Sequence, residues 1–362
     1  MSLAVAIIAD DLTGALDTGT PFVDAGLSVA VAIDVDAVEA AIATGAEVVV
    51  VNTVSRAMDP AAATASVARA ATLLREANPA LVFKKIDSRL KGNVRAETEA
   101  LAKAFGKTRV VIAPAIPDQQ RFTRNGMVVG RGVDEPIGIA PLFAGSPLAV
   151  EIGDAETDVD LDRIVAALVG QTTLAVGARG FGSALARRFA HLIASSAHRT
   201  AFQPGARTLF AVGSRDPITL SQMEALSDSG LLGGLHEAPA GQFDPDPIGH
   251  RLPLLLRCSG ELLEDPLVVA RRFAAGVARI AEETLPDMLM IGGGDTAYAI
   301  LSCLGARVLT PRGEIEAGIP WFSLTDGRGQ EMRCAVKSGG FGNRQSLLKV
   351  LQDDPAMVNV GQ

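Results

Sequence analysis

Short apolar runs recur along this chain, separated by stretches in which apolar residues return every three or four positions. VAIIA at Val5–Ala9, LSVAVAI at Leu27–Ile33, EVVVVN at Glu47–Asn52, LVFKK at Leu81–Lys85 and RVVIA at Arg109–Ala113 are too short for helices and nearly continuous in Val, Ile, Leu and Ala. That is the pattern of strands buried on both faces of a parallel sheet. Helical spacing fills the gaps at Leu12–Ala25, Pro60–Glu76 and Val94–Phe105, the second opening on a proline suited to a first turn. The β-α-β-α rhythm predicts an α/β domain built on a parallel sheet. From Pro114 to about Gly153 the pattern weakens and Pro, Gly and Arg cluster in PAIPDQQRFTRNG and VVGRGVDEPIG, which predicts loops and short strands that cover a site. Regular spacing resumes at Asp160–Val169, Leu174–Val176 and Ser183–Ala194. A polar segment at Ser195–Ala206 that carries Pro204-Gly205 then marks a boundary, giving expected domains 1–203 and 204–362. The second domain repeats the alternation, with strands at Thr208–Val212, Arg251–Arg257, Met288–Ile291, Trp321–Leu324 and Met332–Val336 and a long helix at Pro266–Thr284.

Composition narrows the function classes. With 48% hydrophobic and 20% charged residues in 362, the chain is globular. A net charge of −8 and only 4% aromatics argue against a nucleic-acid partner, which would need a basic face or stacking platforms. A local basic pocket for a small anion remains compatible with that balance. Three scattered cysteines form no C-x-x-C pair and four histidines (His191, His198, His236, His250) show no ligand spacing, so no disulfide framework and no protein-held metal site is expected. No apolar run approaches the roughly 18 residues of a membrane helix. The N-terminus lacks a basic lead and is interrupted by Asp10-Asp11, so the expected location is the cytoplasm. Monomer and homo-oligomer both stay open.

In open parallel sheets ligands bind beyond the carboxyl ends of the strands, so polar residues there are the candidates for chemistry. Asp10-Asp11-Leu12-Thr13-Gly14 follows the first strand; its acids either cap the next helix or hold a substrate hydroxyl or cation. Asn52-Thr53 and Arg56 follow the third, where Arg56 either grips a carboxylate through two parallel bonds or faces solvent. Lys84 to Asn93 (KKIDSRLKGN) holds four cations and one acid in ten positions. Such density suits an anionic substrate and the charge that develops in phosphoryl transfer, with Asp87 placed to orient or deprotonate a hydroxyl; the plainer alternative is a solvated charge run. Arg121–Gly126 (RFTRNG) either closes over the site or is a plain surface loop. In the second domain three glycine turns each follow an apolar run: Gly213-Ser214, Gly292-Gly293-Gly294-Asp295-Thr296, and Lys337-Ser338-Gly339-Gly340-Phe341-Gly342. Together they point to nucleotide phosphates, although no G-x-x-x-x-G-K-[ST] loop is present.

As an ordered set, Ala9-Asp10-Asp11-Leu12-Thr13-Gly14-Ala15, Lys85-Ile86-Asp87-Ser88, Lys91-Gly92-Asn93, Val212-Gly213-Ser214, Gly293-Gly294-Asp295-Thr296 and the KSGGFG turn resemble the four-carbon acid sugar kinases over nearly the whole chain. The resemblance implies two α/β domains flanking a cleft, an N-terminal one for the sugar acid and a C-terminal one for ATP with Mg²⁺. It further implies phosphorylation of the 4-hydroxyl of threonate, erythronate or a 3-oxo-tetronate. Asp10, Asp11, Arg56, Lys85, Ile86, Asp87, Ser88 and Asn93 would then contact the substrate, with Asp87 and next Asp11 as candidate bases. Ser214, Gly293, Gly294, Asp295, Thr296, Gly339 and Gly340 would contact ATP. The alternatives are a kinase for another hydroxy-carboxylate and a non-enzymatic ATP-binding sensor or effector. The chain departs from the family at Val54, where a polar residue is usual, and at Ala140–Glu151, which replaces a His-Pro-containing stretch.

Overall fold

The computed structural model describes residues 3–168, 172–190, 200–245, 251–260 and 265–352. The far ends of the helices expected to reach Val169 and Ala194, the start of the 195–206 boundary segment, and His191, His198 and His250 lie outside the described residues. The chain divides into two compact units, Met1–Arg199 and Thr200–Gln362.

The first unit runs β1 (Val5–Ala9), α1 (Leu12–Asp24), β2 (Val29–Ala32), α2 (Val38–Ala43), β3 (Val48–Asn52), α3 (Pro60–Glu76), β4 (Leu81–Lys85), α4 (Val94–Ala104), β5 (Arg109–Ala113), β6 (Arg121–Arg124), β7 (Met127–Gly130), β8 (Ile137–Gly138), β9 (Ala149–Ile152), α5 (Asp158–Ala166), β10 (Thr173–Gly177) and α6 (Arg179–Ala190). Its main strands lie in the order β2-β3-β1-β4-β10-β5-β9 and pair in parallel throughout. The valine-rich runs are buried along their length because helices cover both faces of such a sheet. The caps follow local chemistry: Asp59 accepts from the amides of Ala61 and Ala62 at 3.0 Å, and Pro60 opens α3. The weakly patterned stretch after Pro114 holds β9 and a small antiparallel sheet, β6-β7-β8.

Helix α6 begins at Arg179, four residues before the expected Ser183. Gly180 and Gly182 read as helix breakers in sequence, yet the helix needs them. A Cβ on Gly180 would lie 2.4 Å from the Ala115 carbonyl oxygen, and one on Gly182 would lie 2.5 Å from Thr18. Close packing overrides propensity there.

The second unit continues with β11 (Thr208–Val212), α7 (Pro217–Asp228), β12 (Gly234–Pro239), β13 (Leu254–Ser259), α8 (Pro266–Thr284), β14 (Met288–Gly292), α9 (Gly294–Cys303), β15 (Val308–Glu316), β16 (Ile319–Thr325) and β17 (Glu331–Lys337). Its strand order is β12-β13-β11-β14-β17-β16-β15, parallel from β12 to β17 and antiparallel over the last three. Phe210, Leu255, Met288, Met290 and Trp321 meet in its core. No helix among the described residues is long and apolar enough to cross a membrane.

Each sheet has one place where neighbouring strands lead off in opposite directions. In the first unit β1 connects toward β2 while its neighbour β4 connects toward β5; in the second β11 connects toward β12 while its neighbour β14 connects toward β15. Such a switch point opens a crevice at the carboxyl ends of the two strands. Both crevices coincide with the polar motifs.

Candidate active site

Register gathers the first cluster. Ala9 pairs with Asn52 on one side and Lys85 on the other, and Lys85 pairs with Gly177. The residues that leave these four strands therefore emerge side by side: Asp10-Asp11, Thr53 to Arg56, Ile86 to Asn93, and Arg179.

Two-residue periodicity in β4 sends its lysines to different tasks. Lys84 is fully buried, its ammonium 2.8 Å from Glu97 Oε2 and donating to the Lys85 carbonyl at 2.8 Å, while Glu97 Oε1 accepts from Ser55 at 2.7 Å. Of the four cations in the motif, this one is an internal brace and is not available to an external anion. Lys85 is 5% exposed, and its ammonium makes no ion pair or hydrogen bond with a described residue. It lies against Gly14, where a Cβ would stand 2.6 Å from Lys85 Nζ and 2.4 Å from Asp11 Oδ1; only a glycine admits both groups.

Arg56 is engaged from within. Its Nε and Nη2 donate to the two oxygens of Asp10 at 2.8 Å, and Nη2 also reaches Asp11 Oδ1 at 2.9 Å. Burial alone would raise the Asp10 carboxyl. The Arg56 charge and hydrogen bond, with Lys84 and Lys85 nearby, outweigh it and hold Asp10 below the ordinary carboxylate value. Asp11 caps α1, accepting from the Gly14 amide at 3.0 Å and the Thr13 hydroxyl at 2.6 Å. Asp87 uses Oδ2 to accept from the amides of Arg89 at 3.0 Å and Lys91 at 3.3 Å, while Oδ1 has no bond to a described residue. Ile86 is buried with its amide bonded to Gly177, and Ser88 accepts from Arg121 at 2.5 Å. Asn93 ties the loops together by donating to the carbonyls of Ser55 at 3.2 Å and Met58 at 2.9 Å.

Sequence patterning does not single out Asp17, Asp118 and Arg179. Arg179 Nη1 bonds Asp118 at 2.8 Å, and its Nε lies 3.1 Å from Asp17 Oδ1. Burial raises the Asp17 carboxyl against the pull of Arg179 and Lys85. For Asp17 the available signal is a lone charge within a run of small and uncharged residues, LTGALDTGT.

The second cluster is built from backbone. Val212 pairs with Gly292, and Gly292 pairs with Lys337, so the three glycine turns leave adjacent strands. They pack on one another: a Cβ on Gly213 would lie 2.1 Å from Thr296 Oγ1, and one on Gly339 2.6 Å from Ser214 Oγ. Gly293 precedes α9 at φ 110, a region closed to other residues, and the first amides of α9 have no intrahelical acceptors. The amides of Gly213 and Ser214 are already bonded to the Gly292 carbonyl at 2.9 and 3.1 Å, which leaves the Ser214 hydroxyl as that turn's contribution. These groups line a cavity of 340 Å³ whose other wall is Cys258, Pro266, Val269 and Ala270, with Arg215 beside it. Sequence motifs mark the glycine side; the apolar wall comes from β13 and α8 and has no motif. The shape suits a flat apolar group next to a polyanion. Lys337 lies beneath, fully buried, donating to Thr219 Oγ1 and to the carbonyls of Ser338 and Gly339, all at 2.9 Å. Burial pushes its ammonium down to about 8 against the pull of Asp216 and Glu316.

Residues 5–142 match a family described as a sugar-binding N-terminal domain, and residues 261–347 match one described as a nucleotide-binding C-terminal domain. The chain is 30% identical over 402 residues to a D-threonate kinase of Bordetella bronchiseptica, covering 96% of each. It is 25% identical over 424 residues to a 3-oxo-tetronate kinase of Pseudomonas fluorescens, covering 95% of each. A solved Salmonella typhimurium structure described as a putative tRNA synthase shares the fold, with a TM-score of 0.74 at 17% identity, over 97% of this chain and 99% of that one.

Proposed function

The chain belongs to the four-carbon acid sugar kinase family and is a sugar acid kinase, and on that premise we propose that it transfers the γ-phosphoryl group of ATP to the 4-hydroxyl of an acid such as threonate, erythronate or a 3-oxo-tetronate. The N-terminal domain, 1–203, takes the acid and the C-terminal domain, 204–362, takes ATP. One observation carries this reading: each sheet opens a switch-point crevice, lined in the first by charged side chains around Lys85 and in the second by the glycine turns around Gly293.

The acid lies among Asp10, Asp11, Lys85, Asp87, Ser88 and Asn93, with Arg56 fixing the two first-strand carboxylates. The phosphates lie against Gly293 to Thr296, Ser214 and Gly339-Gly340, and the base against the apolar wall. Asp87 is the base: its Oδ2 is oriented by two amides and its Oδ1 is left to accept a proton. The acceptor oxygen bonds to the γ-phosphorus and the bond to the bridging oxygen breaks. ADP leaves and the hydroxyl proton passes to Asp87. The unpaired Lys85 ammonium stabilises the negative charge that accumulates. Mg²⁺ favours a few carboxylates beside phosphates and water. Asp216, whose Oδ2 lies 3.5 Å from the Cβ position of Gly340, and Asp295, on the cavity wall, fit that donor set. Bound there, the ion would neutralise phosphate charge.

A coupled ADP-release assay over four- and five-carbon sugar acids tests the reading. Turnover on at least one is expected; none, with ATP binding intact, removes the substrate class. Asp87→Asn should lower kcat by about 10²–10⁴, the usual range for a general base, without changing ATP affinity. A fully active Asn variant removes Asp87 from the chemistry.

A further inference from the structure

Lys337 ends β17 beneath the third glycine turn and has no part in the chemistry above. It is fully buried, yet among the described residues it makes no ion pair. The acids near it have work of their own: Glu316 Oε2 pairs with Lys349 at 3.0 Å, and Asp216 caps α7, accepting from the Ile218 amide at 2.9 Å. An ammonium carries three N–H groups. Lys337 spends all three at 2.9 Å on Thr219 Oγ1 and the carbonyls of Ser338 and Gly339. Thr219, on α7, donates its own hydroxyl to the same Gly339 carbonyl at 2.8 Å. Further along α7, Gln222 Nε2 donates to the carbonyls of Phe341 and Asn343 at 3.0 and 2.8 Å. The turn is therefore gripped by its carbonyls from within.

A trans peptide unit is planar, and its C=O and N–H point in opposite directions. Holding the Ser338 and Gly339 carbonyls toward Lys337 turns the amides of Gly339 and Gly340 the other way, out of the protein. Neither amide donates to a described residue. Gly340 is exposed, and Gly339 lines the 340 Å³ cavity. The Gly213 and Ser214 amides, by contrast, are spent on the Gly292 carbonyl. Two successive outward amides form a nest for an anion. A cation held directly behind them adds to the positive potential at its mouth.

We propose that Lys337 and Thr219 are positioning residues of the nucleotide site: they draw the Ser338 and Gly339 carbonyls inward, so that the Gly339 and Gly340 amides stand ready for phosphate oxygens. Neither side chain touches the nucleotide. This rests on the reading that the C-terminal domain takes ATP. It also explains why a lysine precedes this turn, although a lysine buried there cannot reach a phosphate itself.

The test measures Kd for ATP with Mg²⁺ by titration calorimetry, and KM for ATP and for the best acid of the panel. Thr219→Val keeps the side-chain shape and deletes the hydroxyl, and Lys337→Met deletes the ammonium. Hydrogen bonds to charged groups are strong enough that each variant should weaken ATP binding roughly 10- to 100-fold. KM for the acid should stay at the wild-type value, and Thr219→Ser, which restores the hydroxyl, should recover ATP affinity. Thr208→Val is the control for lost stability. It removes another buried hydroxyl of the same unit, bonded to the Gly205 carbonyl at 2.6 Å, and should leave Kd for ATP unchanged. Thr219→Val keeps the test decisive should Lys337→Met fail to fold. Wild-type affinity for ATP in Thr219→Val would overturn the proposal. So would a Thr219→Ser variant as weak as Thr219→Val, or a rise in both KM values together. If the wild type binds no ATP, the reading beneath the proposal is what falls.

Discussion

Around Lys85 the first unit presents side chains; around Gly293 the second presents main chain. The two crevices arise from the same topology, yet their loops are made differently. In the first, the segments after β3, β4 and β5 place non-glycine residues in the left-handed region: Val54 at φ 53, Leu90 at φ 60 and Gln120 at φ 56. In the second, glycine occupies the strained position at φ 110 and the turns pack where no Cβ fits. A polyhydroxy acid must be told apart by its charge and the placement of its hydroxyls, which calls for ionised groups held by other ionised groups. A phosphate chain is bound by amides, which calls for bare backbone. The first solution stores electrostatic tension and backbone strain; the second is sterically intolerant.

Four measurements would break or sharpen that contrast. The largest effect should come from Lys84→Met, which leaves Glu97 in the core of the first unit with the Ser55 hydroxyl but without its counter-ion; removing one partner of a buried pair costs about 3–5 kcal/mol. Denaturant titration would show it, and Lys84→Met with Glu97→Met should recover most of the loss, because a buried pair is often replaceable by packed apolar groups. A double variant as unstable as the single one would mean the pair does more than neutralise itself. Next, Gly293→Ala forces a Cβ to 3.3 Å from the Ser214 amide at a φ that alanine does not tolerate. Strain of about 1–3 kcal/mol should weaken ATP binding roughly 5- to 150-fold and leave acid binding intact by calorimetry. Equal damage to both ligands would dissolve the division of labour.

The third concerns Lys337. Its folded pKa of about 8 lies below the value near 10.4 expected in the unfolded chain. Between those values the unfolded state binds more protons, so this group's contribution to stability rises as pH goes from about 8 to about 10. Unfolding free energies for wild type and Lys337→Met across that window should differ by that upward slope, and a downward difference would contradict the burial argument. The smallest effect is Val54→Gly. Relief of a β-branched residue from the left-handed region, offset by the extra entropy of glycine, should stabilise by about 0.5–1 kcal/mol in thermal melts. Introducing glycine would thus help the first site, whereas removing it harms the second.

The parallel strands were legible because burial on both faces leaves unbroken valine runs, and Val5–Ala9, Leu81–Lys85, Arg109–Ala113 and Thr208–Val212 carry the bounds the pattern predicts. Strands β12 and β15 were not. In β12, GLHEAP is an edge strand whose exposed positions are Leu235, Glu237 and Pro239, so no alternation of apolar and polar faces marks it. In β15, Pro311 and Gly313 argue against a strand, but the register shifts between them, and that irregularity absorbs both. Among the chemical motifs, the acids after β1 and the glycine turns were visible as residue types at strand ends. Which of the neighbouring lysines was structural was not, because Lys84 and Lys85 differ only in the face of β4 they occupy.

What the sequence by itself determined is the alternation of buried strands and helices, the position of polar residues at strand termini, and hence the family. These are local matters of period and propensity. Only the tertiary structure decided that Arg56 belongs to Asp10 and Asp11, that Lys84 belongs to Glu97, that Arg179 joins Asp17 to Asp118, and that Arg89 and Arg121 converge beside Gly132. Charge pairing acts through space across tens of residues, and the strand register that sets those distances is a property of the assembled sheet.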